Sequence, residues 1–144
     1  MQLPRPEDSL HKAWLYRVLS AIADDAFLAS VLHFKGGTCA AMRGLLDRFS
    51  VDLDFELTDD REILMVRTHL EKIFQKIGLE IKDQSHQVPQ YFLKYENDEG
   101  KRNTLQLDVN CPAPKHNQFE MVRFPDIDRI LSCHTISTMV ANKM

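Results

Sequence analysis

At 144 residues and 44% apolar, the chain is long enough for one compact domain with its own core and too short to suggest two. A net charge of -3 and a pI near 6.0 exclude wholesale electrostatic binding to nucleic acid or to an anionic membrane, leaving only local patches for such contacts. No apolar run approaches the ~20 residues of a membrane span and the opening MQLPRPEDSLHK lacks the apolar centre of a signal peptide, so a cytoplasmic protein without membrane contact is expected.

In chain order, residues 6–30 (PEDSLHKAWLYRVLSAIADDAFLAS) predict a helix, with Pro6 near its start, Glu7 and Asp8 in the first turn, and an apolar stripe of Leu15, Val18, Leu19 and Ile22. Trp14 is its core anchor. VLHF (31–34) predicts a short strand that stops at Gly36, and TCAAMRGLL (38–46) a short helix rich in small residues. VDLDFEL (51–57) alternates strictly, with Val51, Leu53, Phe55 and Leu57 on one face and Asp52, Asp54 and Glu56 on the other. Residues 60–78 return to helical spacing through Ile63, Val66, Leu70 and Ile77, with Gly78 as the stop. Four strands are expected next, in LEIKDQSHQV, QYFLKYEN, TLQLDVN and FEMVRF, with NDEGKRN as a solvated hairpin loop. A last helix opens near Ser137. Cys39, Cys111 and Cys133 are odd in number and lack C-x-x-C spacing, which reads as free thiols. The fold class is therefore α+β: a mixed or antiparallel sheet covered by helices.

The acidic strand carries the sharpest signal. Carboxylates at Asp52 and Asp54 leave the same face at a spacing that lets both reach one or two hard cations, and their mutual repulsion costs stability unless a cation or solvent offsets it. Ahead of them, Gly36-Gly37 lets the backbone pass close to a ligand, and the N–H groups that follow attract an anion such as phosphate. Together, a phosphate cradle and a metal site are the equipment of phosphoryl transfer. Asp108, in TLQLDVN, is the candidate third carboxylate. Each feature has a plainer reading: a solvated strand edge for D-x-D, a tight turn for KGGT, the solvent face of its strand for Asp108. His33 reads as structural, and Tyr91, Phe92 and Tyr95 as packing residues that could otherwise stack on a base.

The stretch FKGGTCAAMRGLLDRFSVDLDFEL resembles the signature of the AbiEii/AbiGii nucleotidyltransferase toxin family, a K-G-G-T run followed by R-x-S-x-D-L-D-F. Lys35, Gly36, Gly37 and Thr38 match the first part, and Arg48, Ser50, Asp52, Leu53, Asp54 and Phe55 the second. LQLDVN is similar to the family's third-acid strand, with Asp108 in the acid position, and ISTMVANKM to the start of a helix bearing A-x-K, with Ala141 and Lys143 in place. The resemblance implies the DNA polymerase β type of nucleotidyltransferase fold, a nucleoside triphosphate (NTP) substrate and Mg2+, with two ions. It implies an acceptor that is RNA, tRNA in some members, and a role as toxin in a toxin-antitoxin or phage-defence (abortive infection) system with an antitoxin partner. By the same resemblance Asp52, Asp54 and Asp108 hold the metals, and Lys35, Gly36, Gly37, Thr38, Arg48 and Ser50 bind the nucleotide. Lys143 steadies the triphosphate. Residues 1–144 are expected to be a single nucleotidyltransferase-like domain lacking the helical region that follows A-x-K in the family. Two alternatives remain open: a non-catalytic nucleotide- or antitoxin-binding remnant of that fold, and a metal-dependent phosphoesterase.

Overall fold

Residues 6–30 form two helices, α1 (Pro6–Asp24) and α2 (Ala26–Val31), where the sequence pattern predicted one. Asp25 breaks them apart: its backbone is extended and its carboxylate accepts the Leu28 N–H at 3.0 Å, capping α2. In the computed structural model, which describes residues 6–47, 50–85, 87–111 and 117–141, the chain continues as β1 (Leu32–Lys35), α3 (Gly36–Met42) and β2 (Asp52–Leu57). A single 3-10 turn then leads into α4 (Ile63–Ile77), whose predicted stop is borne out by Gly78 in the left-handed region at φ 88°. β3 (Glu80–Ser85), β4 (Gln90–Lys94), β5 (Thr104–Asn110) and β6 (Phe119–Phe124) lie where strands were expected. β7 (Arg129–His134) is additional, and α5 (Ile136–Ala141) starts just ahead of Ser137.

The seven strands form one mixed sheet in the order β3-β4-β5-β2-β1-β7-β6. β2 is central, antiparallel to β1 and parallel to β5, so residues 58–103 form a crossover that returns the chain in the same direction. One face of the sheet is the core. Phe34, Leu53, Phe55, Leu105, Leu107, Leu93 and Leu131 meet Leu15, Val18, Leu19 and Ile22 of α1, Leu28 of α2, and Val66, Leu70 and Phe74 of α4, all buried. Burying these side chains is the main force holding helices to sheet, each worth roughly 1.5–3 kcal/mol. Tyr91 and Tyr95 belong to this core too, with the Tyr95 ring stacked on Trp14 at 5.6 Å, so packing is indeed their role. Phe92 sits on the other face. That opposite face, uncovered by α1, α2 and α4, carries the alternate residues of each strand, and the acids are among them.

Candidate active site

Strand register decides which polar side chains meet. Asp54 of β2 pairs with Asp108 of β5, Lys35 of β1 pairs with Asp54, and Gln90 of β4 pairs with Asp108. Gln90, Asp108, Asp54 and Lys35 therefore form a straight row across four strands, all on one face. With neighbouring strands about 4.8 Å apart, the row spans roughly 14 Å. Asp52 stands one position along, in register with Gln106. These four row residues line a cavity of about 280 Å3, together with Val88 and Asn110.

The carboxylates strain against one another. Burial, and then the charge of Asp108, push the Asp54 carboxyl up to about 6, with Lys35 pulling the other way. Asp52 is raised for the same two reasons in the same order, with His11 and Arg102 opposing. Asp108 accepts a hydrogen bond from the Gln106 amide at 2.9 Å on Oδ2, whereas its Oδ1 is buried with no hydrogen-bond partner among the described residues. A buried carboxylate oxygen without a donor calls for a cation.

Gly36 explains the first half of the motif. Its φ is 81°, and a Cβ there would sit 2.5 Å from Asp54 Oδ2. The glycine thus lets the backbone turn beneath the carboxylate at a distance no other residue allows. Thr38 is used differently from a ligand-facing hydroxyl: its side chain is buried, lies 3.0 Å from Ser50 Oγ, and hydrogen-bonds the Asp52 carbonyl. With one proton each, Thr38 donates to the carbonyl and Ser50 to Thr38. This pins α3 to β2, so that cradle and acids move as one. Arg48 and Lys143 lie outside the described residues.

All candidate ligands are carboxylate oxygens, the donor type that Mg2+ and similar hard cations take. Among the described residues, no group of three or more His, Cys, Asp or Glu side chains is placed to hold a metal by itself. That suits Mg2+, which is generally bound through one or two carboxylates and completed by water and substrate phosphate rather than by an all-protein cage. The orphaned Asp108 oxygen, the Asp54–Asp108 register and the cavity that both acids line fit such an ion.

The third acid of the strand is spent elsewhere. Glu56 is buried, accepting from Asn117 Nδ2 at 2.8 Å and lying 3.0 Å from His134 Nε2. Beside it His33 stacks on Phe119 at 3.8 Å and lies 2.6 Å from Ser132 Oγ, a structural role as expected. Sequence reasoning missed four contributors. His11, 40 positions before Val51, lies 2.8 Å from the Val51 carbonyl through Nε2. Arg102, assigned to a solvated loop, acts on Asp52 through its charge. Gln106 orients Asp108, and Gln90 completes the row. Alternation in TLQLDVN already places Gln106 on the face of Asp108; nothing in the sequence announces the other three.

The family profile described as "Nucleotidyl transferase AbiEii toxin, Type IV TA system" matches residues 17–144. No curated protein matches the chain. Among solved structures, JHP933 from Helicobacter pylori superposes with a TM-score of 0.66 at 20% identity, over 98% of this chain and 57% of that one. A second H. pylori protein, titled a putative nucleotidyltransferase, gives 0.64 at 20% identity over 97% and 59%. The nucleotidyltransferase toxin MenT4 from Mycobacterium tuberculosis gives 0.61 at 20% identity over 96% and 53%. At such identities the likeness is one of fold, and this chain spans less than two thirds of each of those proteins.

Proposed function

The chain belongs to the AbiEii nucleotidyltransferase toxin family and has the nucleotidyltransferase fold, and from that premise we propose that it transfers a nucleotidyl group from a nucleoside triphosphate to a hydroxyl of RNA, as the toxin of a toxin-antitoxin pair. The observation that carries this reading is the in-register pair Asp54 and Asp108: Asp54 packs against the glycine turn, and Asp108 keeps a buried Oδ1 with no partner among the described residues. Neither a solvated strand edge nor a plain turn needs a carboxylate buried without a donor.

In the reaction, the acceptor oxygen forms a bond to the α-phosphorus while the bond from that phosphorus to the pyrophosphate oxygen breaks, and the hydroxyl proton leaves to a carboxylate. Asp108, on the far side of Asp54 from β1, is assigned as that base. Asp52, Asp54 and Asp108 would hold Mg2+, one or two carboxylates to an ion with water and substrate phosphate completing its shell, and the ion would supply neutralisation of phosphate charge and orientation of the reacting oxygens. Lys35 and the backbone at Gly36, Gly37 and Thr38 face the triphosphate, and fixing it there turns a bimolecular encounter into a positioned one. Arg48, Ser50 and Lys143 are assigned supporting roles by resemblance. A cytoplasmic site of action, a role in abortive infection and binding of an antitoxin belong to the same proposal.

The test is transfer of label from nucleoside triphosphates radiolabelled at the α-phosphate to total RNA in the presence of Mg2+. Labelled RNA from the wild type, falling at least about a hundredfold with Asp54→Asn, is the expected outcome, the size being that of removing one transition-state electrostatic partner. Equal labelling by wild type and variant refutes the assignment of Asp54.

A further inference from the structure

We propose, resting on the transferase reading above, that the turn at residues 87–89, with Val88 and the adjoining Gln90, is the acceptor-side wall of the site and receives the terminal nucleotide of the RNA, rather than the incoming triphosphate. The row across the sheet has two unlike ends. At the β1 end stand Lys35 and the half-buried glycine turn, a cation and backbone without side chains, chemistry suited to phosphate. At the β4 end stand Gln90 in register with Asp108, Asn110 two residues beyond Asp108, and Val88. None of the three is charged.

Carboxamides offer a donor and an acceptor together and so use both halves on base edges and ribose hydroxyls, whereas the acceptor-only oxygens of phosphate engage the N–H half alone. Neither amide has a hydrogen-bond partner among the described residues, so both are free to bond a ligand. Val88 is 36% exposed and supplies an apolar contact beside them. Displacement at phosphorus places the entering and leaving oxygens roughly in line. With the pyrophosphate held over β1, the entering hydroxyl comes from the β4 side: its oxygen bonds the α-phosphorus, the pyrophosphate leaves towards Lys35, and the proton passes to Asp108.

The turn is also built to keep its place. Arg67, reaching over from α4, donates to the carbonyls of Ser85 and, at 2.8 Å, Val88. Its guanidinium lies over the Tyr91 ring at 5.8 Å. From the other side the Val109 N–H donates to the Pro89 carbonyl at 2.8 Å, tying the turn to the strand of Asp108. A surface turn held from both sides at a fixed distance from the acids is what an acceptor wall requires.

Steady-state transfer separates the two ends. In Gln90→Ala and Val88→Ala, the KM for total tRNA should rise about three- to tenfold, the size of losing one uncharged hydrogen bond or apolar contact. The KM for the triphosphate should stay within about twofold. A rise in the triphosphate KM with an unchanged RNA KM overturns the proposal by giving the wall to the nucleotide, and no change in either overturns it outright. Silence of the wild type counts against the transferase reading itself, and equilibrium binding then decides the wall. Weaker binding of fluorescently labelled total tRNA to Val88→Asp, with binding of Mg-ATP retained, upholds it. Undiminished tRNA binding overturns it, as does labelling of a protein instead of RNA by the active wild type.

Discussion

Gly36 shows how close an approach a missing side chain permits. Two separate costs attend an alanine there: the positive φ, worth about 1–2 kcal/mol for a residue with a Cβ, and collision with the Asp54 carboxylate. Gly44 isolates the first, since its φ is 79° and nothing among the described residues lies within 4 Å of an added Cβ. Gly36→Ala and Gly44→Ala should both lower the melting temperature, by roughly 2–6 °C per kcal/mol lost, while only Gly36→Ala suppresses label transfer. Comparable activity in the two variants refutes the close approach as a catalytic requirement. At this scale the sequence was informative because the pair KGGT and D-x-D states a constraint that few other uses satisfy. It was silent where register decides, since nothing in QYFLKYEN or in VLHFK says that Gln90 and Lys35 stand at opposite ends of one row.

Among elements, the break between α1 and α2 and the strand β7 were the two misjudged in the sequence. Consecutive Asp24 and Asp25 in a helical pattern were read through, although Asp followed by an apolar run is an N-cap signal. The cap is reinforced from α4: His69 Nδ1 lies 2.7 Å from Asp25 Oδ2, and the hydrogen bonds from Leu28 and His69 hold the Asp25 carboxyl below its ordinary value against the opposing effect of burial. A depressed carboxyl stabilises above its unfolded pKa of about 3.9 and the effect fades below it. Asp25→Ala should therefore cost about 1 kcal/mol at neutral pH and progressively less as pH falls below about 3.9, measured by urea unfolding along that range. A deficit persisting at low pH refutes the capping account. β7 escaped notice because only Leu131 and Cys133 face the core, while Ile130 is exposed and His134 is buried against Glu56. A strand whose inward and outward residues do not sort by polarity leaves no period-2 trace.

For the molecule as a whole, pH acts through three histidines. Burial holds His11, His33 and His134 below the ordinary histidine value, in each case as the leading cause. His11 shows why the neutral form is built in. Its Nε2–H donates to the Val51 carbonyl at 2.8 Å, leaving Nδ1 to accept from the Tyr95 hydroxyl at 2.7 Å. Since the unfolded chain protonates first, near about 6.5, stability is full above that value and declines as pH falls through it. Asp54 works in the opposite sense: raised to about 6, it takes a proton in the folded state before the unfolded one does, so its relief adds stability as pH falls. Between about pH 7.5 and 5.5 the melting temperature should consequently fall more steeply in Asp54→Asn than in wild type. Parallel slopes refute this opposition.

The place of β7 in the sheet bears on how the protein comes into being. Its parallel pairing with β1 sets Phe34 beside Cys133, and Arg43, just after α3, donates to the His134 carbonyl at 2.7 Å. During synthesis the glycine turn emerges early, yet its outer support is translated about a hundred residues later, and such distant pairing is slow to form. β2 and β5 complete the acids before β7 exists. The acids can thus be drawn together while the glycine turn between them and β7 still lacks its outer strand, so the last-made strand is the one that fixes the first-made turn.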